Sequence, residues 1–316
     1  MRVENTMVKN ILSNPIIRSD FKEELIIPAN LMRINIIFFC FLLCLGLPLS
    51  AKKKVSEYPK SDIKVSYNYH NVFLKGSDNV TERDIPFLLL SNSEESKFYC
   101  KDTENKDSLQ STPEGKKLSR QMLTEAINQY MNTKNESLMS SVVYKTQLYV
   151  FKSFSDSQYK VYDNTGLERA FYVEPIDVID WEISDSTKNI LGYECFMAEA
   201  DYHGRHWTAW FTPEIPIQNG PWKLQGLPGL ILEASEPTGQ HTFLATGIEK
   251  STQEMLPVYN PKQYDKSNRI DMLKTMRNFM DNQNSIVKAS IDLDLGPDAP
   301  KTAEYKKFDF LETDYH

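Results

Sequence analysis

Glu214–Ala234 reads EIPIQNGPWKLQGLPGLILEA. Two turn-forming units, Asn219-Gly220-Pro221 and Leu227-Pro228-Gly229, bracket Trp222, and the strand-like run Leu230-Ile231-Leu232 follows. Pro presets φ and Gly tolerates φ > 0, so Pro228-Gly229 suits the two central positions of a type II turn. The segment reads as a rigid connection that delivers Trp222, Leu224 and Leu227 to defined places. Gly220, Pro221, Gly226, Gly229 and Leu230 form its framework, and no catalytic group lies in it.

Outward from this stretch the chain alternates in periods of two. Upstream lie Asp180–Ile183, Leu191–Tyr202 and His206–Thr212, with His203-Gly204-Arg205 as a turn. Downstream, Gly229–Ala234 and His241–Glu249 form a hairpin. Farther back come Asp62–Phe73, Ile85–Leu90, Ser96–Cys100, Tyr144–Phe154, Gln158–Tyr162 and Arg169–Val173. Such sequential, locally connected strands pair antiparallel, and a sheet this wide curls.

Leu118, Met122, Ala126 and Tyr130 recur at helical spacing behind a capping box at Ser111–Glu114, and Ile270, Leu273, Met276 and Met280 do the same. Lys101–Glu114 has no apolar period and reads as a loop; Gln283–His316 reads as irregular, docked by Phe308 and Phe310. The expected architecture is one α+β domain: a large, curved, mostly antiparallel sheet, half-barrel-like, with both helices on one face.

Gly226-Leu227-Pro228-Gly229-Leu230-Ile231 is the hexapeptide that gives the GLPGLI family its name, a group of secreted bacterial proteins found mainly in Bacteroidetes. The chain resembles that family over Ile179–Glu249, through Trp181, Lys188, Ile190, Gly192, Tyr193, Cys195, Ala198, Trp210, Ile215-Pro216 and Gly220-Pro221-Trp222. Phe308-Asp309-Phe310-Leu311-Glu312 only echoes the family's closing Asn-Pro-x-Glu. The resemblance implies an exported protein of defined shape and no particular chemistry. The hairpin series after Tyr193 also looks like the open half-barrel of bacterial lipoprotein carriers, a fold-level analogy.

The N-terminus agrees with export. Ile34–Leu49 (INIIFFCFLLCLGLPL) follows Met32-Arg33 and precedes Ser50-Ala51, the pattern of a secretory signal peptide spanning residues 32–51. At about sixteen residues it is short for a membrane span, which needs roughly 20. Residues 1–31 are expected to be an upstream extension, with Met32 the true start and 52–316 the mature domain. Periplasm or envelope is the expected location, with secretion into the medium the alternative. Leu43-Cys44 lacks the small residue that lipidation requires.

Removing the signal leaves Cys100 and Cys195, and an even count in an exported chain reads as a disulfide. The formal net charge of −7 argues against nucleic-acid binding. Asp201-x-His203-x-x-His206 is the one metal-like cluster, but spacing fixes no third ligand, so polar hairpin surface is the preferred reading and no cofactor is expected. Gly-x-Ser-x-Gly and His-Glu-x-x-His are missing, and 43 acidic residues will always offer carboxylate pairs.

Trp207 and Trp210, three apart, should face opposite sides of a strand. Trp210, Trp222, Leu224, Leu227 and Pro228 are the candidate binding residues, with core packing the rival reading for Trp222. The function so expected is binding or accessory: an apolar, lipid-like or peptide ligand, or docking on an outer-membrane protein. A carboxylate- or His-dependent hydrolase and a structural envelope component are the alternatives.

Overall fold

The computed structural model describes residues 58–74, 80–133, 135, 137–138, 141–291 and 309–316. Residues 1–57, with the expected extension and signal peptide, lie outside this set, as does Phe308. No helix among the described residues is long and apolar enough to cross a membrane.

Among the described residues twelve strands form one open sheet: β1 Ile63–Leu74, β2 Val80–Ser91, β3 Glu95–Tyr99, β4 Tyr149–Ser153, β5 Gln158–Asn164, β6 Arg169–Pro175, β7 Glu182–Ile190, β8 Tyr193–Tyr202, β9 Arg205–Thr212, β10 Leu230–Ser235, β11 His241–Lys250 and β12 Tyr264–Lys266. Their order is β12-β6-β5-β4-β3-β2-β1-β11-β10-β9-β8-β7. All pairings are antiparallel except β12 with β6. The chain therefore makes two meanders, joined where β11 returns to pair with β1. Register shifts in the β1–β11, β9–β10 and β7–β8 ladders bend the sheet further. Two tight hairpins, Leu191-Gly192 and His203-Gly204, have positive φ at both central residues, as type I′ turns require.

Alternation sorts the strands onto two faces. Leu89, Phe98, Val150 and Val161 enter the main core on the inner face. Their neighbours Leu90, Tyr99, Tyr149 and Tyr162 form a smaller cluster on the outer face. Helix α3 (Arg269–Ile291) lays Met272 on the main core and carries a non-helical residue at Asn282.

Helices α1 (Lys101–Leu109) and α2 (Pro113–Thr133) lie elsewhere. The expected loop at Lys101–Glu114 contains α1, whose buried residues are Thr103, Glu104 and Asp107. It is fixed by polar contacts instead of an apolar stripe. Lys97 Nζ lies 2.6 Å from Glu104, and Tyr149 O–H donates to Asp107 at 2.7 Å. α2 is likewise not on the inner face. Ala126, Ile127 and Tyr130 cluster with Val142 and Val143, and Leu118, Met122 and Met131 are exposed.

The expected Cys100–Cys195 disulfide is not formed. Both thiols are free and buried. Cys100 follows β3 and Cys195 sits in β8, with β2, β1, β11, β10 and β9 between them in the sheet. A disulfide needs Cα atoms within about 7 Å, the reach of neighbouring strands. Even pairing of cysteines said nothing about that separation.

Candidate functional site

The stretch Glu214–Gly229 leaves β9 and fills the hollow of the inner face before β10 begins. Its backbone is folded by short-range bonds: Ile217 N–H to Ile215 O, Asn219 N–H to Ile217 O and Gly229 N–H to Leu227 O, each at 2.7 Å. These are three-residue γ-turns, so Leu227-Pro228-Gly229 is not the expected type II turn. Gly229 has no positive φ; the positive values belong to Trp222 (+52°) and Gly226 (+93°). Gly229 is required for another reason. A Cβ there would stand 2.1 Å from the Thr212 carbonyl oxygen, so β9 and the loop touch backbone to backbone.

Two buried side chains of the sheet and a tryptophan just before β7 hold this loop by its carbonyl groups. Lys152 Nζ donates to Asn219 Oδ1 at 2.7 Å, Leu224 O at 3.0 Å and Gly220 O at 3.3 Å. Tyr159 O–H donates to Lys223 O at 2.8 Å, and Trp181 Nε1–H to Gln225 O at 2.9 Å. Burial pushes the Lys152 amine well below the usual lysine range. With its three donors directed at carbonyls it serves as a clamp.

Trp222, Leu224 and Leu227 are fully buried, as are Gly220, Pro221, Gly229 and Leu230, while Pro228 and Gly226 are exposed. The Trp222 ring packs 5.7 Å from Trp207 and 5.8 Å from Tyr202. Trp207 and Trp210 do face opposite sides: Trp207 is buried, and Trp210 is half-buried under Lys188 Nζ, 4.2 Å from its ring.

One edge of Trp222 borders a cavity of about 150 Å³. Its floor comes from the sheet (Tyr69, Phe87, Val161, Tyr172), one wall from α3 (Met272, Met276) and another from Phe310–Glu312. Strands β1–β2 and β5–β6, separated in the sheet by β3 and β4, both line this cavity, so the curvature of the sheet makes the pocket. Of the expected binding residues only Trp222 lines it; Trp210, Leu224, Leu227 and Pro228 do not. Sequence spacing could not assemble walls drawn from nine separate segments.

The C-terminal segment Asp309–His316 closes the cavity as a strap tied by cations. Arg205 donates twice to Phe310 O, at 2.6 and 2.9 Å. Arg277 reaches Asp309 at 2.9 Å and Tyr315 Oη at 3.1 Å. Arg269 pairs with Glu312 at 3.0 Å and Asp314 at 2.5 Å, and Lys223 with Glu312 at 2.7 Å and Glu174 at 2.5 Å. Burial alone would raise the Glu312 carboxyl, but Lys223, His203 and Arg269 outweigh it and hold it below the usual range. Thr313 N–H donates to His203 O at 2.9 Å. Gly204 permits this approach, since a Cβ there would meet Thr313 Oγ1 at 2.3 Å.

The metal-like cluster dissolves in three dimensions. His206 is exposed and pairs with Asp201 at 2.8 Å. His203 instead joins Glu312 and Asp314, with one ligand atom of each within 4.8 Å of the others. Arg269 already rests on both carboxylates, so the protein supplies the cation there itself. His241, in the cavity wall, is held neutral at about 3, chiefly by burial and then by Arg205. Tyr69 O–H and Asn71 Nδ2–H both reach its Nδ1, at 2.7 and 3.3 Å, so Nε2–H donates to Asp309 O at 3.2 Å. With both nitrogens engaged, it offers no lone pair to a substrate.

No curated protein matches the chain. Among solved structures it is similar to "Structure of PNGF-II in C2 space group", with 13% identity and a TM-score of 0.43, covering 68% of this chain and 32% of that one. It is also similar to a putative outer membrane lipoprotein-sorting protein domain from Vibrio parahaemolyticus (8% identity, TM-score 0.21, 62% and 87% of the two chains). A LolA superfamily protein, NE2245 from Nitrosomonas europaea, stands at 8%, 0.23, 63% and 89%. The chain thus spans about a third of PNGF-II, and likenesses this faint carry no argument about function. The family model described as "Protein of unknown function (Porph_ging)" matches residues 202–233, so over β9, the inner loop and the start of β10 the chain bears the signature of the GLPGLI family.

Proposed function

We propose that the protein is an exported, non-enzymatic binding or accessory protein that holds an apolar ligand between the sheet, α3 and the C-terminal strap. The observation that carries this reading is the cavity of about 150 Å³, floored by aromatic side chains and walled by Met272 and Met276. Apolar pockets with a few placed polar groups are the usual form of small-molecule sites. The polar groups around it favour binding over catalysis: Glu312 is neutralised by two cations and both His241 nitrogens are occupied. Export follows from the signal-like stretch at Ile34–Leu49.

Native mass spectrometry of the chain purified from its own cell envelope tests this. An adduct removed by organic extraction, and missing from a Met276→Trp variant that fills the cavity, is the expected result. An unmodified mass together with a co-purifying protein that Met276→Trp still retains would overturn the ligand reading in favour of docking.

A further inference from the structure

The apolar walls of the cavity leave one lining group unaccounted for. Asp163 lies on β5, two residues after Val161 and on the same face, and its side chain borders the cavity. Its Oδ1 accepts the Asn164 N–H at 2.8 Å, and no ion pair reaches it among the described residues. The other ionisable lining groups differ. Glu312 carries Lys223 and Arg269, and His241 is neutral with both nitrogens engaged. Burial pushes the Asp163 carboxyl up to about 7. A carboxylate facing apolar walls without a counter-charge is costly, and a cationic ligand removes that cost.

We propose that the cavity takes a small molecule made of one apolar ring or short chain and a single protonated amine, with the ammonium pairing Asp163 and the apolar body against Phe87, Trp222 and Met276. This rests on the reading of the cavity as a ligand site. A cavity near 150 Å³ holds about one aromatic ring, which sets the size of the body. Trp222 at the edge provides an optical report of occupancy.

Benzylamine and toluene, equal in ring size, separate the two claims when titrated into the full chain at pH 8, read by tryptophan fluorescence and calorimetry. Benzylamine is expected to bind about tenfold tighter or more, the worth of one charge-assisted hydrogen bond. Asp163→Asn should remove that advantage and leave toluene unchanged. As a check independent of the variant's folding, wild-type affinity for benzylamine should fall as pH drops through about 7, while toluene's stays level. Toluene binding as tightly as benzylamine would overturn the amine while leaving the cavity as a site. Neither probe binding, with Met276→Trp behaving as wild type, would overturn both.

Discussion

Glu214–Gly229 and Asp309–His316 are both irregular segments laid on the inner face, and they are fastened in opposite ways. The first is tied by its own carbonyl groups to Lys152, Tyr159 and Trp181 and buries Trp222, Leu224 and Leu227 beneath it. The second is tied by Arg205, Arg269 and Arg277, and of its eight residues only Glu312 and Tyr315 are fully buried. Apolar burial carries no charge to titrate, whereas the strap's carboxylates do, and its outer pairs, Arg269–Asp314 and Arg277–Asp309, are open to screening. One segment is part of the core; the other is a cover pinned by ion pairs. The family signature falls on the first, so what it encodes is a packing device that lends one edge to the cavity.

The sharpest way to break this contrast is Gly229→Val. Its branched side chain would meet the Thr212 carbonyl, and a loss of about 3 kcal/mol or more is expected, read by urea denaturation. Trp222→Ala should follow closely, at about 3–5 kcal/mol, because the ring packs on Trp207 and Tyr202. A near-neutral result for either would make the loop a surface feature.

Arg269→Ala sharpens the other side. It should cost about 1–3 kcal/mol and raise protease sensitivity near Asp309–His316 well before global unfolding. Equal protection along the whole chain would mean that the strap belongs to the core.

Acid should act unequally on the strap and on the cavity it covers. Glu312 has its folded pKa depressed, so its contribution is present above the ordinary carboxylate range and is lost as pH falls through the folded value. Asp163 runs the other way. Its folded pKa is raised to about 7, so ionisation there lowers stability as pH climbs from about 4 to 7. Asp163→Asn should flatten that slope and gain up to about 2 kcal/mol at pH 8, a partial value because the residue keeps some contact with water. A variant with the wild-type pH profile would place the carboxylate in water. The smallest effect is expected from His206→Ala, within about 0.5 kcal/mol, since its partner Asp201 is exposed.

Much of the sheet was legible because half-buried strands alternate. The runs from Asp62 to Glu249 fall on β1–β11, with Asp180–Ile183 extending into the longer β7. α2 and α3 were legible from their period, although α2 turns its stripe to Val142 and Val143. α1 was not, because Glu104 is buried against Lys97 on the preceding strand and Asp107 against Tyr149 and Arg169, 42 and 62 positions away, and local hydrophobicity carries no trace of such polar partners. Gly229 was singled out correctly and for the wrong reason: proximity of β9 was needed, not a positive φ. The strap reads as an irregular tail docked by Phe308 and Phe310, and Phe310 does line the cavity, but its fastening residues Arg205 and Arg269 lie 105 and 43 positions away from Phe310 and Glu312.

By itself, then, the sequence determined the strand pattern, the antiparallel habit and the stiffness of the central loop, all set by interactions within a few residues. The tertiary structure alone decided that the two cysteines stay apart, that His203 answers to Glu312 and Asp314 instead of His206, and that Asp163 faces an apolar cavity. Those outcomes depend on how strongly a twelve-stranded sheet curls. Curvature sums small twists over every strand, and no short stretch contains it.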